Sequence, residues 1–141
     1  MNDSILLLTN ILESARSGIV ALEGLIRHAK GLATIADFTR WRERYCDVER
    51  AAERRLRQLG EMPTRRDEHR ALWAEALIYD VSEEPSIRPM EMLVKEGEQS
   101  IEALSRARHA LKEADLTARD LASRLLTLRR ACLASAYTAQ N

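Results

Sequence analysis

Apolar residues recur at alternating spacings of three and four from the start of the chain: Ile5, Leu8, Leu12, Ala15, Ile19, Leu22, Ile26 and Ala29. That period puts one stripe of side chains on one helical face, and it predicts a helix over Asp3–Lys30 packed against partner helices. Ile11, Gly18 and Leu25 widen the stripe on one flank, as a bundle helix requires and a two-stranded coiled coil does not. Glycine in a helix interior is about 1 kcal/mol less favourable than alanine, so Gly18 reads as a place where another helix comes close. Gly31 is the stop signal.

The same period continues in three further stretches. After a very short turn, with Thr34 as the expected cap, the stripe is Ile35, Phe38, Trp41, Tyr45, Val48, Ala52, Leu56 and Leu59. Gly60 and Pro63 close that second helix. Thr64 with Asp67 resembles a capping box and predicts a short helix over Arg65–Asp80, followed by a linker with two prolines, Pro85 and Pro89. A third long helix is expected over Pro89–Glu113, with Met90, Val94, Gly97, Ile101, Leu104 and Leu111 on its stripe. For the fourth, Thr117 is the expected cap, Asp120 completes a box, and Leu116 with Leu121 form a staple; the stripe runs through Leu125, Leu128 and Cys132 toward Tyr137. Short connections make sequential helices antiparallel neighbours. The predicted fold is all-α: residues 1–141 form one domain, an antiparallel four-helix bundle with a short extra helix between helices 2 and 3.

Composition narrows the function classes. Lys plus Arg and Asp plus Glu are 22 each, so there is no overall basic excess of the kind a nucleic-acid binder or membrane-surface protein carries. The balance is local, however. Residues 39–70 hold ten arginines against seven acids, and residues 80–102 hold seven acids against two bases, so facing or partner-docking surfaces of opposite sign are expected. Arginine outnumbers lysine 19 to three, which favours bidentate carboxylate pairs. The longest apolar run is Ile5–Leu8, far short of the ~20 residues of a membrane span. With Asp3 near the start and no early Lys or Arg, there is no signal-peptide pattern either. Cys46 and Cys132 lack CxxC spacing and read as reduced thiols of a cytoplasmic protein, Cys46 off the core stripe and Cys132 on it.

Beyond the pattern, Leu59-Gly60-Glu61-Met62-Pro63, then Glu68-His69-Arg70-Ala71-Leu72-Trp73, then Glu96-Gly97-Glu98 at the opening of the third core helix are suggestive. Together they resemble an uncharacterised bacterial four-helix-bundle family with a ferritin-like fold. Its members show a Gly-x-Pro turn, a His-Arg-x-x-Trp short helix and a Glu-x-Gly-Glu segment at these relative places. The resemblance implies a ferritin-like bundle and raises the question of a di-iron carboxylate site, with Glu23, Glu49, Glu98 and His69 as the ligand set.

The residues argue against that chemistry. Di-iron bundles use a Glu-x-x-His from each of two helices, and the residues three before His28, His69 and His109 are Leu25, Arg66 and Arg106. Across the short turn, Glu23 is expected level with Trp41 and Glu49 level with Ala15. Eight residues of axial offset is ~12 Å, against the ~3.5–4 Å between ions of a dinuclear centre. Glu98 is expected to flank the third stripe and Glu96 to point further out, in a polar seam with arginines such as Arg106. His109 and Glu113 form an i,i+4 surface pair.

No nucleophile–base arrangement and no phosphate-cradling glycine cluster occurs in the sequence. The expected function is therefore a non-catalytic helical bundle with no cofactor, acting through protein association. The alternative is an iron-binding ferritin-like protein with a degenerate site. Leu6, Leu7, Leu126 and Leu133 lie off the narrow stripes and are the expected homodimer interface, through helices one and four. A third idea is a small apolar ligand near Phe38, Trp41 and Trp73.

Overall fold

A computed structural model describes residues 2–28, 31–63 and 88–140. Among these, all regular structure is helical: α1 (Asp3–His28), α2 (Leu32–Gln58), α3 (Arg88–Ala110) and α4 (Leu116–Gln140). The expected short helix over Arg65–Asp80, with His69, Trp73 and the Thr64–Asp67 box, lies outside the described residues, as does residue 30.

The core forms where the stripes meet. Leu8, Leu12, Ala15, Ile19 and Leu22 of α1 are buried against Tyr45, Val48, Ala52 and Leu56 of α2. A second stripe on α1, through Leu7, Ile11, Gly18 and Leu25, is equally buried. It faces α3 and α4, so α1 is covered on two sides and is the central helix of the packing. By length and composition Asp3–Arg27 is apolar enough to cross a membrane, which single-run counting does not reveal; 67% of the apolar window is buried inside the bundle.

Relative chain direction follows from paired side chains. Arg16 meets Glu49 and Glu23 meets Arg42 across α1 and α2. Ser14 meets Ser100 and Ser17 meets Glu96 across α1 and α3. Ser4 meets Asp115 and Ser14 meets Arg129 across α1 and α4. Numbers thus run in opposite senses for the first two pairs of helices and in the same sense for the third.

Helix ends depart from expectation at three places. Gly31, at φ 106°, occupies the N-cap position of α2 directly, so Thr34 caps nothing and the turn is tighter than predicted. Before α4 the cap is Asp115, whose Oδ1 accepts the Ala118 N–H at 2.9 Å, and not Thr117. Asp is as good a cap as Thr, and this one is fixed from outside the helix: the Asp115 N–H donates to Ser4 Oγ at 2.8 Å, and Arg55 reaches Asp115 Oδ2 at 2.9 Å. With the start shifted, Leu116 points to solvent at 74% exposure and the predicted staple is absent. α3 stops at Ala110, short of Glu113, because the Glu113 N–H is taken by Asp3 Oδ2 at 2.9 Å.

Candidate functional site

The chemistry-bearing groups gather inside the bundle as two ion-paired clusters. The larger centres on Arg129 of α4, which is 2% exposed. Its Nη1 and Nη2 donate to Glu96 Oε2 and Oε1 of α3 at 2.5 and 2.6 Å. Nε donates to Ser14 Oγ at 3.3 Å, and Nη2 also to the Ser14 carbonyl of α1. Ser17 donates to Glu96 Oε1 at 2.9 Å, and Ser14 shares a hydrogen bond with Ser100 at 2.5 Å. The guanidinium stacks 5.0 Å from the centroid of the Tyr45 ring on α2. One side chain thereby touches all four helices.

Sequence makes room for it. On α4 the seam that faces inward is Ala118, Ala122, Leu125, Arg129, Cys132 and Ala136, all buried. Room for the arginine comes from across the interface, where Gly18 stands and a β-carbon would lie 3.2 Å from the guanidinium. The close approach expected at Gly18 is thus a side chain's, the head of Arg129 seated against α1 backbone.

Electrostatics follow from burial. For Arg129, desolvation pulls the guanidinium pKa down, but Glu96 and then Tyr45 outweigh it and the net shift is upward. Burial drives the Tyr45 hydroxyl far above its ordinary range, with Arg129 opposing. Among the described residues that hydroxyl has no hydrogen-bond partner of good geometry; the Cys132 thiol is its polar neighbour, and burial raises that thiol's pKa too. None of these groups is an activated nucleophile or base.

The second cluster joins α1 to α2. Arg16, 3% exposed, donates through Nε to Glu49 at 3.1 Å and through Nη2 to Glu53 at 3.3 Å. Glu23 pairs with Arg42 at 3.7 Å nearer the surface. Each partner lies one residue from the level the sequence register assigned.

The expected ligand set does not assemble. Glu49 is held by Arg16, Glu23 by Arg42 some turns away, and Glu98 is exposed and accepts a hydrogen bond from Tyr137. His69 lies outside the described residues. No group of three or more His, Cys, Asp or Glu with metal-binding geometry occurs among the described residues. Among the described residues the interior carboxylates Glu49 and Glu96 are engaged by guanidiniums. The assignments of Glu96 and Glu98 are reversed: Glu96 is buried and Glu98 is exposed, while Arg106 pairs with Glu102 instead. Two residues of a helix differ by ~200° of rotation, so a small error in stripe direction exchanges inside and outside.

Other expectations change as well. Leu7 and Leu126 are 0% and 1% exposed within the chain itself, so they are core and not interface. Leu6 and Leu133 are half-buried, Leu133 lying over Gly97. Cys46 is buried, contrary to its expected place off the core. Phe38 and Trp41 pack half-buried on the core edge, with Arg44 stacked 5.0 Å from the Trp41 ring, and Trp73 lies outside the described residues.

Compared with known proteins, the chain matches no family model, no curated protein and no solved structure.

Proposed function

We propose that this chain is a non-catalytic, antiparallel bundle of ferritin-like topology that acts by association, first with a second copy of itself, in the cytoplasm. The observation that carries the non-catalytic part is the Arg129–Glu96 fork at 2.5 and 2.6 Å. Bundle metal centres use carboxylates facing one another in the core, and here the buried carboxylates Glu96 and Glu49 each face a buried guanidinium. A cation is built into the interior as a side chain.

The topology is supported by the paired residues. α2 and α3 both run against α1, so Gln58 at the end of α2 and Arg88 at the start of α3 lie at opposite ends of the bundle, a separation that one long crossover would join. One long crossover of this kind marks ferritin-like bundles. The two buried free thiols accord with a reducing compartment.

Association is supported by one end of the bundle. There Met62 after α2 is 86% exposed and Leu116 at the start of α4 is 74% exposed, with half-buried Leu6 of α1 at the same end. Ile5, Leu6, Leu12, Leu56 and Met62 border a groove of about 370 Å³. Light scattering at tens of micromolar tests the reading. A dimer mass that falls to the monomer in Met62→Asp/Leu116→Asp is expected, and a monomer mass in the unchanged protein overturns it.

A further inference from the structure

A second feature stands apart from both the buried clusters and the apolar end. Between the C-terminal half of α3 and the outer face of α4 runs a groove of about 590 Å³. Its lining is Ser105, Arg108, His109, Lys112, Arg119 and Arg130, over a floor at Leu126. The lining includes no carboxylate. Among the described residues most other arginines meet an acid, Arg16, Arg42, Arg55 and Arg129 among them, while Arg27, Arg44, Arg54 and Arg124 stand singly and line no common groove with one another. Arg108, Lys112, Arg119 and Arg130 form no ion pair among the described residues, although the chain as a whole is neutral.

The C-terminus of α3 explains only part of this. A helix end carries roughly half a negative charge, which favours basic residues in its last turn, here Arg108 and His109. Three more fixed positive charges then remain, two of them on a different helix. Clustered like charges repel one another unless an anion joins them, so their convergence on one concavity points to an anionic ligand.

We propose that this groove binds a small polyphosphate anion, a di- or triphosphate free or carried by a nucleotide-sized molecule. The volume suits a ligand of that size, and guanidiniums match phosphoryl oxygens by bidentate hydrogen bonds. The groove wall has no Phe, Tyr or Trp side chain and four fixed cations, so recognition falls mainly on the phosphoryl groups. The lack of Phe, Tyr and Trp, with the short extent of the basic patch, separates it from a single-stranded nucleic-acid channel.

Titration calorimetry with inorganic tripolyphosphate, run at about 50 mM and about 200 mM salt, tests the proposal. Binding that weakens with salt is expected, with a loss of about tenfold or more in Arg130→Glu and a smaller loss in Arg130→Gln. Arg124→Glu, on the same helix but outside the groove, makes the same change in net charge and is expected to bind as the unchanged protein does. ATP against tripolyphosphate distinguishes a nucleotide from a free polyphosphate, and either binding supports the groove. No heat from either anion overturns the proposal, as does equal loss in Arg124→Glu and Arg130→Glu. Tighter binding of a short oligothymidylate than of tripolyphosphate overturns it in favour of nucleic acid. Arg130 is exposed, so its variants fold, and far-UV circular dichroism of each verifies this.

Discussion

Arg129 of α4 grips Glu96 of α3 through both carboxylate oxygens where each side chain is almost wholly shut off from water. Removing two charges from water costs several kcal/mol per ion, and attraction alone offsets this only when the remaining donors and acceptors are filled. Here they are filled, by the Ser14 hydroxyl and carbonyl, the Ser17 hydroxyl and the Tyr45 ring face. Because those partners come from α1 and α2 while the pair itself joins α3 to α4, the pair fixes how the four helices sit. An apolar substitute of the same volume would pack but would not select one arrangement.

Glu96→Ala leaves a buried guanidinium unpaired and is expected to destabilise the fold by about 3–5 kcal/mol in urea titration. Glu96→Leu combined with Arg129→Met removes both charges and is expected to recover most of that loss. A single-variant loss below about 1 kcal/mol, the value of a solvated surface pair, would show that the interior is wet.

Gly18→Ala sets two effects against each other. Helix propensity favours alanine by about 1 kcal/mol. The new methyl group, however, would sit 3.2 Å from the Arg129 guanidinium, which Glu96 and Ser14 hold in place and which cannot withdraw. The expected outcome is net destabilisation in the unchanged protein, and net stabilisation in the Glu96→Leu/Arg129→Met background. Equal effects in both backgrounds would refute the close contact.

How much of this was legible in the sequence depends on what each residue's neighbours in the helical period were. The α1 and α2 stripes were legible because leucine and isoleucine at spacings of three and four admit one orientation, and the resulting register put Glu49 and Glu23 within a residue of their partners. On α4 the expected stripe holds at Leu125 and Cys132, but the other inward positions are Ala118, Ala122, Arg129 and Ala136, which hydrophobic spacing does not mark, and Leu128 is only half-buried. Hydrophobicity is a poor guide where the core is built around a charge. The available signal was steric: Ser14 and Gly18, small residues one turn apart on α1, leave room for a long side chain from another helix. The basic groove was not legible, since Arg108, Lys112 and Arg130 come together only through the packing of α3 on α4.

Asp115 links acid stability to the start of α4. Burial works to raise its carboxyl pKa, but the Ala118 N–H, Arg55 and Ser4 outweigh it and the net shift is downward. A depressed folded-state value stabilises the fold above the unfolded value, about 3.9, and that contribution is lost as pH falls through the folded one. Asp115→Asn keeps a capping oxygen and loses the charge. It is expected to be less stable than the unchanged protein at neutral pH, with the difference closing as pH falls below about 4. Asp115→Ala loses the cap as well, for about 1 kcal/mol more. Thermal melts across pH check both, and a gap between Asp and Asn that persists at the lowest pH would refute the linkage.

Metal loading separates the association reading from the iron alternative. For Glu49 to bind an ion, Arg16 has to release it and remain behind as a buried charge, and Glu96 faces the same demand from Arg129. Breaking one such pair costs about 3–5 kcal/mol, which an ion must recover from carboxylates that do not converge. Glu98 adds little, being exposed on the far side of α3 from Glu96. Incubation with excess ferrous iron under nitrogen, desalting and elemental analysis is therefore expected to leave no stoichiometric metal. One ion or more per chain, lost on Glu98→Ala or Glu49→Ala, would instead show that the ion pairs open and that the bundle retains a carboxylate centre.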